Sequence, residues 1–265
     1  MDAPTAPDLA SQTVLLRSLT DGVAVLTLNR PRQYNAFSGE LLDALGRELD
    51  ALARDEAARV VIVTGAGDAF CAGHDLREMR ALDEAGTHAL FARCSAVMQK
   101  IVALPQPVIA AVNGLATAAG CQLVAQCDLA VAADHARFAV SGVNLGLFCS
   151  TPAVALTRNI SRKRAAEMLF TGDFIDAATA LEWGLVNRVA PGSHVMQAAH
   201  DLARKLEAKP RAILALGKSL FYRQLPDDLA RAYADATDTI ACNMGMEAAR
   251  EGVDAFLEKR PPSWK

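Results

Sequence analysis

The chain has 265 residues, 52% of them hydrophobic and 22% charged, with a formal net charge of −3. Such a length buries one sizeable core, and the slightly acidic balance excludes a general polyanion binder. No basic cluster carries the aromatic interleaving of a nucleic-acid groove, and no apolar run approaches membrane-spanning length.

The first dozen residues are rich in Pro and Ala and read as a disordered tail, with one globular domain expected over residues 13–265. The opening MDAPTAPDLASQTV has no apolar segment of a signal peptide. The expectation is a cytoplasmic protein, or one of the mitochondrial matrix if a leader was removed. Residues 14–19 and 23–29 read as two strands around a Thr-Asp-Gly turn, hence a hairpin. A loop follows, and then Ser38 caps a helix with Leu41, Leu42, Leu45, Leu49 and Leu52 on one face. Residues 60–64 read as a strand, and 77–104 as a helix interrupted at Gly86.

The organising stretch is 107–128, PVIAAVNGLATAAGCQLVAQCD. A buried strand over 108–112 meets Asn113-Gly114, residues that tolerate the positive φ of a sharp turn. From Ala118 the chain becomes small and helix-compatible, so Ala118, Ala119 and Gly120 form a helix N-terminus with unpaired N–H groups. A second turn of small residues, FCAGHDL at 70–76, follows the earlier strand. One N–H from each turn could converge on a single developing oxyanion. Beyond these lie strands at 129–132 and 138–140, a helix starting at Pro152 with Ser150 or Thr151 as cap, and a helical pattern from Arg162 almost to the end. The run over 227–246 is long enough for a helix that packs outside the core. The strand-turn-helix order indicates an α/β core of stacked units.

Other motifs weaken on inspection. GAGDAF at 65–70 follows a strand but lacks the third glycine of a dinucleotide fingerprint and reads as a turn. The six cysteines have neither CxxC spacing nor a zinc-like histidine partner and read as reduced, mostly buried thiols. His88, His135, His194 and His200 read as surface residues.

FCAGHDL and IAAVNGLATAAGCQL, in that order and spacing, resemble the oxyanion-hole segments of the crotonase (enoyl-CoA hydratase/isomerase) superfamily. The resemblance continues at NRPRQYNA (29–36), MLFTG (168–172), ALEWGLV (180–186) and FLEKR (256–260), and so spans nearly the whole chain. It implies a spiral of ββα units, with the core running to about residue 190. A helical segment over 191–265 would then join copies as a homotrimer or a dimer of trimers. It also implies an acyl-CoA thioester as ligand, with coenzyme A part of the substrate and no separate cofactor or metal. The hole would be formed by the backbone N–H groups of His74 and Ala119, with Ala36, Ala72, Asp75, Leu76 and Ala118 around the ligand. Arg77 and Lys259 would approach the CoA phosphates, Arg32 would flank the adenine, and Phe256 would pack near the adenine or in the helix interface.

The departure from the family lies in its two proton-transfer glutamates. Alignment puts Gln122 at the first position and Gly142 at the second. A glutamine amide hydrogen-bonds but exchanges no proton near neutral pH, and glycine does neither. LATAAGCQL, GVNLGLFCSTP and SLFYRQLP resemble the subgroup called enoyl-CoA hydratase domain-containing protein 3. Three functions stay open: a nominal 2-enoyl-CoA hydratase of fatty-acid metabolism with weak activity, a non-catalytic acyl-CoA binder, and a thioester hydrolase or decarboxylase using the hole. Cys149 or Ser150 as a nucleophile and the His74 imidazole as a catalyst are open roles. Asp75, Asp128 and Asn144 read as structural.

Overall fold

The computed structural model describes residues 13–264; the expected tail over residues 1–12 lies outside them. The chain opens with a hairpin, β1 (Leu15–Thr20) and β2 (Val23–Leu28), whose turn residues Asp21 and Gly22 both take positive φ. That is the twist a two-residue hairpin requires. Helix α1 (Gly39–Arg54) follows, and Ser38 Oγ accepts from the Leu41 N–H at 3.2 Å. All five leucines of its expected apolar face are buried.

Three ββα turns then stack. The first comprises β3 (Val60–Gly65), β4 (Ala69–Cys71), α2 (Leu76–Ala81) and α3 (Glu84–Ala103). The second is β5 (Val108–Val112), β6 (Leu115–Thr117) and α4 (Ala119–Gln126). The third is β7 (Leu129–Ala133), β8 (Arg137–Ala139) and α5 (Ser150–Asn159). Each turn sends one strand to each of two sheets. The larger sheet has the order β1-β2-β3-β5-β7 and is parallel from β2 onward. The smaller aligns β4, β6 and β8 in parallel. Strands β3 and β5 are continuous apolar runs because both of their faces are covered. The architecture is the α/β crotonase spiral.

The chain continues through α6 (Arg162–Thr171), β9 (Ile175–Asp176), α7 (Ala177–Trp183), β10 (Arg188–Ala190) and α8 (Val195–Glu207). It ends with α9 (Arg211–Gln224), α10 (Leu229–Met244) and α11 (Glu247–Leu257). The expected all-helical stretch after Arg162 is thus corrected. Strand β10 completes the larger sheet beside β7, and β9 pairs antiparallel with β8. Strands this short carry too few residues to show a period of two.

Three local expectations also change. The 77–104 helix breaks at Leu82-Asp83 and not at Gly86, because the Asp83 carboxylate accepts from the Gly86 N–H at 2.8 Å and caps α3. Neither Asn113 nor Gly114 takes positive φ. Glycine is needed at 114 for space, since a Cβ there would fall 2.0 Å from the Asp68 carbonyl oxygen. Helix α5 starts at Ser150, with Cys149 as N-cap residue, and Ser150 Oγ donates to the Phe148 carbonyl rather than capping.

Helix α9 is pinned to the spiral through a buried ion pair. Lys218 Nζ donates to Asp128 Oδ2 at 2.7 Å and to the Ile101 and Gln106 carbonyls, both at 2.9 Å. Tyr222 OH donates to Asp128 Oδ1 and the Val108 N–H to Oδ2, so both oxygens of the carboxylate are engaged. Burial holds the Lys218 pKa below its ordinary value, against the pull of Asp128. Removing one partner of such a pair leaves the other charged and buried, at a cost of about 3–5 kcal/mol. Lys218→Met is therefore expected to lower the urea midpoint by a loss of that size. An unchanged midpoint would show that α9 is not anchored here.

Candidate functional site

The first turn is held open by its neighbours. Ala72 N–H donates to the Tyr34 carbonyl, Phe37 N–H to the Gly73 carbonyl at 2.7 Å, and Asp75 N–H to the Phe37 carbonyl. The bridge between Phe37 and His74 uses the groups on either side of the His74 amide. Among the described residues, nothing accepts from the His74 N–H. Asp75 caps α2 through the Arg77 and Glu78 N–H groups, and Arg30 Nη2 donates to its other oxygen at 3.0 Å. Burial opposes ionisation of Asp75, but the Arg30 hydrogen bond and the two amides outweigh it and hold the pKa below 3.8. The carboxylate is therefore a fixed anionic cap with both oxygens engaged.

The second turn enters α4 through Ala118, whose φ of 48° and ψ of −117° place a non-glycine residue in a strained region. Ala118 N–H donates to the Ala139 carbonyl and its own carbonyl accepts from the Gln122 N–H. The following amide, the Ala119 N–H, has no acceptor among the described residues. The two turns touch. A Cβ on Gly73, itself at φ +92°, would lie 2.9 Å from Ala118 Cβ and 3.3 Å from Ala119 N. A Cβ on Gly120 would lie 2.0 Å from the Cys71 carbonyl oxygen, and Thr117 Oγ1 donates to the Ala72 carbonyl at 3.0 Å. Two free amides thus sit on adjoining bends, next to a helix N-terminus.

Gln122, one helical turn beyond Ala119, is 4% exposed and its Oε1 has no partner. It lines a cavity of about 960 Å³ walled by α3 (Ser95, Met98), α4, α5 (Thr151) and the end of α9 (Tyr222). His74 and Ala119 do not line that cavity, which borders the first turns of α4 at Gln122. Gly142 does not leave an empty socket. A Cβ there would lie 2.7 Å from Cys149 Sγ and 2.7 Å from the Leu147 carbonyl oxygen, so thiol and backbone fill the space a side chain would need. Burial raises the Cys149 pKa, and buried Cys71, Cys94 and Cys121 are each pushed up to about 12. Thiols in that state are poor nucleophiles.

Of the other expected ligand residues, Ala36 is buried beneath the first turn, Ala72 belongs to it, and Leu76 and Arg77 stand exposed at the start of α2. Arg32 is exposed on the loop before Tyr34. Lys259 follows α11, whose residues Glu247, Ala248 and Glu251 border a second cavity with Glu56, Pro105 and Pro210. Phe256, 81% exposed, shares that location. Residues not singled out from the sequence also build the site. Buried Asn35 donates to the Ala66 and Ala69 carbonyls. Asn113 joins the Gly65 N–H to the Gly67 carbonyl, and Phe91 packs on His74.

The geometry defines an α/β spiral with two unpaired amides on adjoining bends, and comparison gives the class. A model of the enoyl-CoA hydratase/isomerase family matches residues 18–265, and the chain belongs to that family. It is 46% identical over 245 residues to mouse "Enoyl-CoA hydratase domain-containing protein 3, mitochondrial", covering 92% of this chain and 82% of that protein. The crystal structure of a Mycobacterium smegmatis enoyl-CoA hydratase superposes with a TM-score of 0.94 at 56% identity, over 96% of this chain and 99% of the other. Human enoyl-CoA hydratase domain-containing protein 3 superposes with a TM-score of 0.91 at 44% identity, over 95% and 100%.

Because Gly73 separates the two bends, its replacement tests their contact. Gly73→Ala is expected to cost about 1–3 kcal/mol in backbone strain and to weaken acyl-CoA binding at least about tenfold, as the new methyl presses on Ala118. Urea melts and calorimetric titration would check both, and unchanged binding would separate the hole from this contact.

Proposed function

We propose that this chain binds acyl-CoA thioesters and holds the thioester oxygen between the N–H groups of His74 and Ala119, with ordinary hydratase turnover weak or absent. The observation that carries this reading is the pair of unpaired amides on touching bends. Two such donors stabilise charge developing on a carbonyl oxygen, whatever side chains surround them. The cavity beside Gln122 offers a volume for the acyl chain, and Arg77, exposed at the start of α2, offers a cation for a CoA phosphate. Hydration additionally needs a group to deprotonate water and a group to protonate Cα. Gln122 performs neither, and position 142 has no side chain and no room for one.

The same reading extends to assembly. Helix α10 buries no residue, and Leu229, Tyr233 and Ile240 on it are each more than half exposed. The C-terminal helices are proposed to pack against other copies in a trimer or a dimer of trimers, where Lys259 could serve a neighbouring copy's ligand. The mitochondrial compartment named for the mouse relative is a candidate location for this chain as well.

Calorimetric titration with butyryl-CoA is expected to show saturable binding, while the conjugated absorbance of crotonyl-CoA declines slowly or not at all. Gln122→Glu restores one carboxylate beside the hole and is expected to raise that decline by about 10²-fold, the low end of general acid–base effects. Absence of binding would overturn the reading. So would wild-type turnover in the ordinary enzyme range of roughly 1–10³ per second.

A further inference from the structure

The buried polar side chains of this fold are matched, with one exception. Asn35, Thr64, Thr117 and Lys218 each donate to backbone carbonyls, Ser38 accepts a backbone N–H, and Gln106 Nε2 donates to three carbonyls. Gln122 is as well buried, yet its side chain makes no hydrogen bond among the described residues. Burying an amide without partners is destabilising. Nothing on the neighbouring elements offsets that cost.

The amide stands where a ligand could reach it. Gln122 lines the cavity of about 960 Å³. Its Oε1 is sealed from solvent, so the end that can meet a molecule in the cavity is the Nε2 donor. Side chains on a helix lean toward its N-terminus. Gln122 therefore reaches back over the turn of α4 that begins with the free Ala119 N–H. A thioester held at that N–H would have its first acyl carbons beside the Gln122 amide. The charged residues of the cavity wall are Asp128 and Arg158. Asp128 is engaged by Lys218 and Tyr222, and Arg158 Nη1 donates to the Val154 carbonyl of its own helix.

We infer that Gln122 is a specificity-determining residue that selects 3-oxoacyl thioesters, its Nε2 donating to the 3-oxo oxygen. This rests on the acyl-CoA reading above. A saturated or 2-enoyl chain presents only C–H at carbon 3 and leaves the amide unmatched. A 3-hydroxyl brings a donor of its own, for which the sealed Oε1 is no acceptor. An oxo oxygen only accepts, which is the complement of a lone donor. An ionised carboxylate in the same place has acceptors alone and would set its lone pairs against that oxygen. The glutamine that forgoes proton transfer thus supplies recognition.

The test is calorimetric titration with acetoacetyl-CoA, butyryl-CoA and 3-hydroxybutyryl-CoA, which differ only at carbon 3. Wild-type protein is expected to bind acetoacetyl-CoA at least about tenfold tighter than butyryl-CoA, with 3-hydroxybutyryl-CoA between them. Gln122→Met matches the length without a donor, and Gln122→Glu matches the shape without one. Each is expected to bring the affinity ratio of acetoacetyl-CoA to butyryl-CoA within about twofold of unity. The ratio is taken within one variant, so a general weakening of binding cancels. Equal wild-type affinities for acetoacetyl-CoA and butyryl-CoA, or tightest binding of 3-hydroxybutyryl-CoA, overturn the inference but spare the acyl-CoA reading. An undiminished ratio in either variant that keeps the wild-type melting profile does the same, and assigns the selection to another donor on the wall, such as Ser95 or Thr151. Absence of wild-type binding of all three compounds overturns the acyl-CoA reading and this inference with it.

Discussion

The constraint on which the rest depends is the close approach of two backbone bends. Gly73 lies against Ala118 and Ala119, and Gly120 against the Cys71 carbonyl, at separations that leave no volume for a side chain. Contact at this range fixes the relative direction of two amides to within the freedom of the main chain itself. The sheets exist to deliver those bends. Strands β4 and β6 are parallel neighbours, so the segments leaving their C-terminal ends emerge side by side. Asn35, Asn113 and Thr117 then lace the loops together with side-chain hydrogen bonds to backbone groups. The strained Ala118 is held from both sides by backbone hydrogen bonds, the circumstance under which strain persists at a functional site.

Around the hole, charge has been removed or immobilised. Asp75 is paired with Arg30, the Cys71, Cys94 and Cys121 thiols stay protonated, and Gln122 carries an uncharged amide one turn into α4. Such surroundings strengthen hydrogen bonds to a developing oxyanion, because screening by nearby ions and water is reduced. They also withhold the usual means of moving protons. If the two amides hold a thioester, affinity for it and chemistry upon it are separable properties of this chain.

Much of the fold was legible because it is local. Ser38 followed by leucines at helical spacing specifies α1, Asp21-Gly22 specifies the hairpin turn, and the valine-rich runs specify β3 and β5. What escaped was non-local. Strands β6, β9 and β10 have two or three residues each and are strands only through their neighbours. Helix breaks were misplaced at Gly86 because capping by Asp83 competes more strongly than glycine's low propensity. The site follows the same division. The two turns, Gln122 and Gly142 could be located from motif spacing, since each lies at a fixed distance along the chain from a strand end. The Phe91–His74 contact depends on the rotation of α3 over the loop, and the filling of the Gly142 position depends on the path of the 146–149 loop.

The central claim is that the amides of His74 and Ala119 grip one thioester oxygen, and vibrational spectroscopy measures that grip most directly. Hydrogen bonds from two oriented donors polarise a carbonyl and weaken its stretch. The infrared difference spectrum of carbonyl-labelled [1-¹³C]butyryl-CoA, bound against free, should show the thioester C=O band moved to lower frequency and narrowed by its fixed surroundings. A bound band at the frequency and width found in water would contradict the account.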